Sequence, residues 1–349
     1  GEPVMIPYAD NLNVVGTDKA RVQSAKDGAV ARLRSVGFIV HEEVDATTHA
    51  SSLGFLFDGV EGTIRPMPEK LNKTISALSW LVSRPHISGK AIENILGHCI
   101  HFCMLRRELL SIFRSTYDYK QSCYSHSGKL WHSAARECSW AAALLPLAYA
   151  DMRRPWCKEI SVSDASLSGI AVSSLVLDTA TVATISRTRE RWRFKSDPIA
   201  VNARMHVAEQ HARPDPFSDP RTVITNHNRD IDTFARNHDF VEVPVEIANH
   251  PNWRQQFATR MTLPESITII EGRGVVSALR HKLRTRRNFG CHHLHLGDNL
   301  GCTFSFDKGR SKNFQLLCSC RRAAALSFVS DSIFHHRWLP SELNHADKG

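Results

Sequence analysis

The spacing of apolar positions divides the chain into a first half that changes from strand-like to helical near residue 65, and a second half of strands and helices interrupted by an aperiodic stretch. Residues 1 to 64 alternate short apolar runs with polar turns. MIPYADNLNVVG reads as a hairpin, Asp18 to Val36 as a helix, and GFIVHEEV and SLGFLFDG as strands. From Pro66 helical spacing takes over: PMPEKLNKTISALSWLVS starts behind prolines, a second helix follows Ser88 as its N-cap, and the period continues from Leu130 to Leu147. MRRP (152–155) breaks the pattern. Two strands follow between 160 and 176, with a third expected at TVATISRT (181–188). From about 187 to 264 there is little period, and RPDPFSDPRT and NHPNW mark a loop or insertion. A helix at 271–286, a strand at 292–298, a long helix from Ser311 and a strand at IFHHRWLP complete the pattern. The expected fold class is α/β (α+β), with a C-terminal mixed sheet flanked by helices and 187–264 largely outside it.

Within this pattern, three carboxylates are in phase with apolar faces. On the two-residue period of a strand, Asp164 points the same way as Ile160 and Val162. A lone carboxylate facing covered apolar surface is costly unless a cation or a hydrogen-bonding partner compensates it. The next such strand repeats the arrangement, with His292, Leu294, Leu296 and Asp298 on one face. On the helix, Glu271 heads a stripe of Val275, Leu279 and Leu283 at intervals of four. Parallel strands with a helix on that face bring Asp164, Asp298 and Glu271 to one rim, where like charges are stable around bound cations. ELNHAD, near the end, adds Glu342 and Asp347. Taken singly, each residue has an ordinary reading as a turn former, a helix start or part of a tail; the conjunction favours metal binding.

Composition narrows the options. With 42% hydrophobic residues, the chain can build ordinary cores, and 44 basic against 35 acidic side chains leave a net charge of +9, which suits a polyanionic partner. The nine cysteines form no CxxC pair, so reduced thiols and an intracellular location are expected. HCIHFC (98–103) and CHHLH (291–295) lack the spacing of a zinc ligand set and read as core. AAALLPLAYA (141–150) is too short and too broken by Pro146 to span a bilayer, so no membrane is expected. The first residue is not methionine, and the chain reads as a piece of something longer.

SDASLSG (163–169), EGRGVVSALR (271–280), LHLGDNLG (294–301), DKGRS (307–311) and WLPSELNHAD (338–347) resemble the ribonuclease H domain of retroelement reverse transcriptases, with the closest likeness to long-terminal-repeat and DIRS-like elements. The resemblance implies an Asp, Glu, Asp, Asp set holding two Mg²⁺ ions, with Mn²⁺ as an alternative. The matching positions are Asp164, Glu271, Asp298 and Asp347. PYADNLNVV (7–15) is similar to the reverse transcriptase palm hairpin, in which Tyr8 and Asp10 match a Tyr-x-Asp-Asp motif whose second Asp is Asn11 here, and Asp10 would be a metal ligand. SLGFLFDG resembles the segment that grips the primer end, and Pro66, Pro68 and Lys70 resemble the start of the thumb and connection.

The resemblance thus implies a partial palm over 1–64, a helical thumb or connection over 65–155, and a ribonuclease H-like domain over 156–349 with an insertion at about 187–264. It implies hydrolysis of RNA in RNA/DNA hybrids, with other parts of a Pol polyprotein as further partners. Polymerisation is not expected of this chain alone, because the palm strand that would bring the partner aspartate is missing. Arg273, Arg280, Lys282, Arg284, Arg286 and Arg287 fall in an acid-free stretch suited to a hybrid backbone, with Lys308, Arg310 and Lys312 as a second set. Their other reading is a solvated helix face. Two alternatives to hydrolysis stay open: an inactive relic or host-retained nucleic-acid-binding module, and a connection domain serving a larger polyprotein.

Overall fold

The computed structural model describes residues 2–8, 10–196, 234–261 and 265–348, so positions 197–233 and 262–264 of the aperiodic stretch lie outside it. The chain forms two compact units, Gly1–Arg154 and Pro155–Gly349.

The first unit opens with the expected hairpin, β1 (Val4–Tyr8) and β2 (Asn11–Val15), followed by α1 (Lys19–Ser35). Asp18 caps α1 by accepting the Ala20 and Arg21 backbone N–H groups at 3.0 and 3.2 Å. No residue of α1 is buried. GFIVHEEV does not form the expected strand; the backbone is irregular from Phe38 until β3 (His49–Ser52). Among the described residues that segment finds no strand to pair with, and β propensity counts only on a sheet. β3 turns into β4 (Phe55–Asp58) through Leu53 and Gly54, both at positive φ, as a tight two-residue hairpin loop requires. β5 (Thr63–Pro66) and β8 (Ala150–Asp151) complete a four-stranded antiparallel sheet.

Helices α2 (Pro68–Val82), α3 (Gly89–Cys103), α4 (Arg114–Ser122) and α5 (His132–Leu144) supply the helical core around Leu78, Leu81, Ile92, Leu96 and Phe102. Ser88 caps α3 as expected, accepting the Ala91 N–H at 3.3 Å. The short strands β6 (His86–Ser88) and β7 (Ser127–Lys129) pair beside these helices. The cysteines of HCIHFC are core residues: burial pushes the Cys99 thiol up to about 12 and raises Cys103 further.

The second unit is built on a mixed five-stranded sheet flanked by helices. Its strands are β9 (Glu159–Ala165), β10 (Gly169–Val176), β13 (Arg254–Arg260), β14 (His292–Gly297) and β15 (Ile333–Trp338), in the order β13-β10-β9-β14-β15. β13, β10 and β9 run antiparallel, whereas β9, β14 and β15 are mutually parallel. TVATISRT is helical rather than a strand: α6 (Thr179–Arg187) starts where Asp178 accepts the Thr181 N–H at 2.8 Å, and Val182 and Ile185 are buried one turn apart. The cap and the three-residue spacing outweigh the β-branched composition. The third strand of the antiparallel part is instead β13, which joins the sheet from within the stretch expected to lie outside it. A short pair, β11 (Phe194–Ser196) and β12 (Phe234–Arg236), and the one-turn α7 (Val245–Ala248) lie between α6 and β13.

The two faces of the sheet are covered differently. Ile160, Val162, Leu294 and Leu296 pack with Val182 and Ile185 of α6, Trp253, Leu339 and Ala346. On the other face, α8 (Ile267–Lys282) lies over Ala165, Ile170 and Val172 through Ile270 and Ala278. The helix expected over the Ile160/Val162 face therefore covers the opposite one, and it runs four residues earlier than 271–286. Gly274 faces the sheet, where a Cβ would meet Ile170 at 3.4 Å and Ser163 at 3.5 Å, ordinary contact distances. Gly272 faces α10 (Phe314–Val329), where a Cβ would come within 2.7 Å of Leu316. α9 (Leu300–Lys308) follows β14, and the helix expected from Ser311 begins at Phe314 behind its cap Asn313.

The histidines of CHHLH and IFHHRWLP are sheet residues. His295 bridges Ser161 at 3.0 Å and Ser163 at 3.1 Å, and His292 meets His335 at 2.9 Å. Burial lowers His293 and His336 to about 3, and holds His295 and His335 well below the usual imidazole range. Arg337, 1% exposed, donates to Glu190 at 2.8 Å and to the Ile185 carbonyl at 2.6 Å, and Arg193 donates to the same Glu190 at 2.7 Å.

Candidate metal centre

Asp164 is the penultimate residue of β9, and Asp298 immediately follows β14. These parallel neighbours pair Leu296 with Val162, and the same register carried two residues further sets Asp298 beside Asp164. Glu271 comes from the second turn of α8, with the Ala165 backbone N–H close enough to favour its ionised form. One ligand oxygen from each of Asp164, Glu271 and Asp298 lies within 4.8 Å of the others, the one such acidic group among the described residues.

The electrostatics are those of an uncompensated cluster. Burial pushes Glu271, 6% exposed, up to about 8, helped by the charges of Asp298 and Asp164. Burial, then Asp298 and Asp347, push Asp164 up to about 6. Asp298 Oδ1 is buried and has no hydrogen-bond partner. Such an orphaned oxygen beside two destabilised carboxylates fits a missing positive charge, and an all-oxygen donor set suits a hard divalent cation. The three residues thus form a possible acidic metal-binding triad.

The fourth expected ligand, Asp347, lies outside that group, exposed on the turn His345–Lys348, where it acts on Asp164 through its charge. Glu342 is likewise exposed. Two residues that sequence reading passed over support the site. Asn344, buried, donates to the Ser163 carbonyl at 3.2 Å and to Asp164 Oδ1 at 3.5 Å, and Trp338 Nε1 donates to the Asp298 carbonyl at 2.6 Å. Both fall within the WLPSELNHAD motif, but their roles carry no signal in the sequence, because each acts through a contact that only the folded sheet creates.

In the other unit, Tyr8 pairs with Asn11 across the β1–β2 turn, and Asn11 donates to Asp10 at 3.1 Å. Asp10 is exposed and belongs to no group of three metal-ligating side chains among the described residues.

The basic stretch divides in two. Lys282 does not face solvent: it is buried and donates to the Glu159 carbonyl at 2.5 Å, and burial lowers its pKa. Helical phase turns it into the sheet, so it is withdrawn from the expected phosphate-binding set. Arg273 is tied to Glu265 at 2.6 Å. Arg280, Arg284, Arg286 and Arg287 are exposed, and no carboxylate among the described residues pairs with them. The last three follow the end of α8 rather than forming a helix face. Lys308 and Arg310 are exposed at the end of α9.

No family model matches the chain, and no curated protein matches it. Among solved structures it is similar to a foamy viral protease-reverse transcriptase in complex with RNA/DNA hybrid, at 12% identity and a TM-score of 0.33, covering 99% of this chain and 58% of that one. It is also similar to a foamy viral protease-reverse transcriptase dRH in complex with double-stranded DNA, at 12% identity and a TM-score of 0.36, covering 95% of this chain and 45% of that one. The chain therefore spans about half the length of those proteins. Among the described residues, no helix is long and apolar enough to cross a membrane.

Proposed function

We propose that the second unit is a ribonuclease H-type nuclease that hydrolyses the RNA strand of RNA/DNA hybrids with two Mg²⁺ ions, Mn²⁺ being able to replace them. The observation that carries this reading is the convergence of Asp164, Glu271 and Asp298 on one rim with a buried, unpartnered Asp298 oxygen. Bound divalent cations supply Lewis acidity at the scissile phosphate and lower the pKa of water. The chain's own part is to hold the charge and the substrate. Asp164, Glu271 and Asp298 would hold the cations, and Asn344 keeps the Asp164 carboxylate from rotating away. Asp347 is near enough to act on Asp164 through its charge and would be the fourth ligand. Arg280, Arg284, Arg286 and Arg287, exposed and without carboxylate partners, suit the phosphates of the hybrid. Selection of RNA would rest on contacts to 2′-hydroxyls.

In this reading, the first unit is a partial reverse transcriptase palm (1–64) and a helical thumb or connection (65–155) of a retroelement Pol protein. Asp10 belongs to no metal-ligating group among the described residues, so the chain by itself is not assigned polymerase activity. The position of Asp347 outside the triad favours a second reading, a nucleic-acid-binding module without catalysis. Cleavage of a labelled RNA/DNA hybrid, and of the matching duplex DNA, in Mg²⁺ or in chelator decides between them. Mg²⁺-dependent cutting of the RNA strand alone supports the nuclease. Hybrid binding without cutting supports the module.

A further inference from the structure

The segment RTRERWRFK (187–195) alternates cations with aromatic residues, and the nuclease reading uses none of it. Its inner half is structural, with Glu190 and Arg193 buried against Arg337. The outer half is held rigidly at the surface. Asp307, buried near the end of α9, accepts the Arg191 backbone N–H at 3.0 Å and lies 3.5 Å and 3.9 Å from the guanidinium groups of Arg191 and Arg189. Phe194 packs edge-on against Phe304 of α9 with ring centres 6.0 Å apart.

This clamp leaves a large aromatic surface facing water. Trp192 is 62% exposed with the Arg191 guanidinium 5.5 Å from its ring centre, and Phe194 is 37% exposed. The Lys308 ammonium lies 4.9 Å from the Phe304 ring centre. Arg187 and Arg310 add exposed cations in the same two segments, whose own anions are the buried Glu190 and Asp307, while Lys195 is paired with the exposed Asp239 at 3.2 Å. Cations set among the rings disfavour a dry apolar partner, which would have to strip their hydration. A ligand that alternates planar rings with anions satisfies both features: the rings stack on Trp192 and Phe194, and the phosphates meet Arg191 and Lys308.

We propose that Trp192, Phe194, Arg191 and Lys308 form a binding platform for single-stranded nucleic acid, without base-sequence preference. It goes beyond the nuclease reading and stands without it, since no residue of the carboxylate triad takes part. The test is fluorescence anisotropy of a labelled short oligothymidylate with the full chain in chelator, where no RNA or metal ion is present and nothing is cut. Trp192→Ala is expected to weaken binding roughly 5- to 150-fold, the range for loss of one stacked base. Trp192→Phe should restore most of the affinity, which separates stacking from misfolding. Lys308→Gln should lower the slope of log affinity against log salt by about 0.7. Wild-type affinity in Trp192→Ala overturns the proposal, as does a Phe variant as weak as the Ala variant. Sedimentation showing a wild-type dimer that Trp192→Ala dissolves also overturns it, because the patch would then serve a second copy of the chain. A nuclease failure would appear only in the hybrid-cleavage assay and leaves this result unaffected.

Discussion

Asn344 Nδ2 lies 3.2 Å from the Ser163 carbonyl and 3.5 Å from Asp164 Oδ1, so the turn after β15 is pinned to the strand that carries the central carboxylate. Asn344 Oδ1 in turn accepts the Ala346 N–H at 3.0 Å, which orders the turn that brings Asp347 toward the site. Asn344→Ala should destabilise the unit by about 1–2 kcal/mol. Hybrid cleavage should fall while hybrid binding holds, measured by thermal unfolding and by single-turnover cleavage. A loss of binding equal to the loss of cleavage would contradict this role.

Asp164→Asn keeps the shape and removes a charge from a crowded cluster. In chelator the variant should melt above the wild type, because the repulsion that raises Asp164 and Glu271 is relieved. In Mg²⁺ the order should reverse, because the wild type gains ligand stabilisation and the variant gains less. Cleavage should drop to background. Retention of Mg²⁺-dependent cleavage by Asp164→Asn would sink the nuclease reading.

The pH dependence of the metal-free protein should have two limbs. Glu271 is raised to about 8 in the fold from an ordinary 4.5, so the native state holds a proton that the unfolded chain has already released. Its contribution to stability is therefore full at low pH and is lost as pH rises toward 8. The buried histidines act in the opposite sense. His293 and His336, lowered to about 3, cost stability as pH falls below the usual imidazole value of 6.5. Their effect dies away only about one pH unit above 6.5 and is common to wild type and Glu271→Gln, so the profile to follow by calorimetry in chelator is the stability of the wild type minus that of Glu271→Gln, which should fall as pH rises from 5 to 8. A flat profile there would mean that Glu271 is ionised throughout.

Lys282 and Arg284 are two residues apart and should behave differently. Replacing both Arg284 and Arg287 with Ala should weaken hybrid binding and lower its salt slope by about 0.9 for each lost phosphate contact. Lys282→Met should leave the slope unchanged, because the ammonium is buried on the Glu159 carbonyl. An unaltered slope in the double Arg variant would assign those arginines to a solvated surface.

Arg337→Met breaks a buried ion pair from one side and removes a donor to the Ile185 carbonyl. Arg193 still partners Glu190, so a loss of about 3 kcal/mol is expected, at the low end for such a deletion. At roughly 2–4 °C per kcal/mol for a unit of this size, the fall in Tm is readily measured. Adding Glu190→Gln should recover part of it, because the carboxylate left behind is neutralised.

Much of the site was legible in the sequence because strand and helix periods are local. Asp164 in phase with Ile160 and Val162, and Asp298 in phase with Leu294 and Leu296, need no knowledge of the fold, and Asp18 and Ser88 announce their helices by side-chain chemistry alone. Periodicity specifies which residues share a face but not what covers it, so α8 was expected over the wrong side of the sheet. β-branched composition made Thr181–Thr188 look like a strand, and only the cap at Asp178 and the burial of Val182 and Ile185 resolve it as a helix. The basic stretch could be counted in the sequence, but whether a cation meets solvent or a carbonyl depends on the neighbouring strand, which is why Lys282 left the set. Asn344, Trp338 and the Trp192 surface were decided by tertiary structure alone. Their partners lie far away along the chain, and such contacts leave no period or spacing behind.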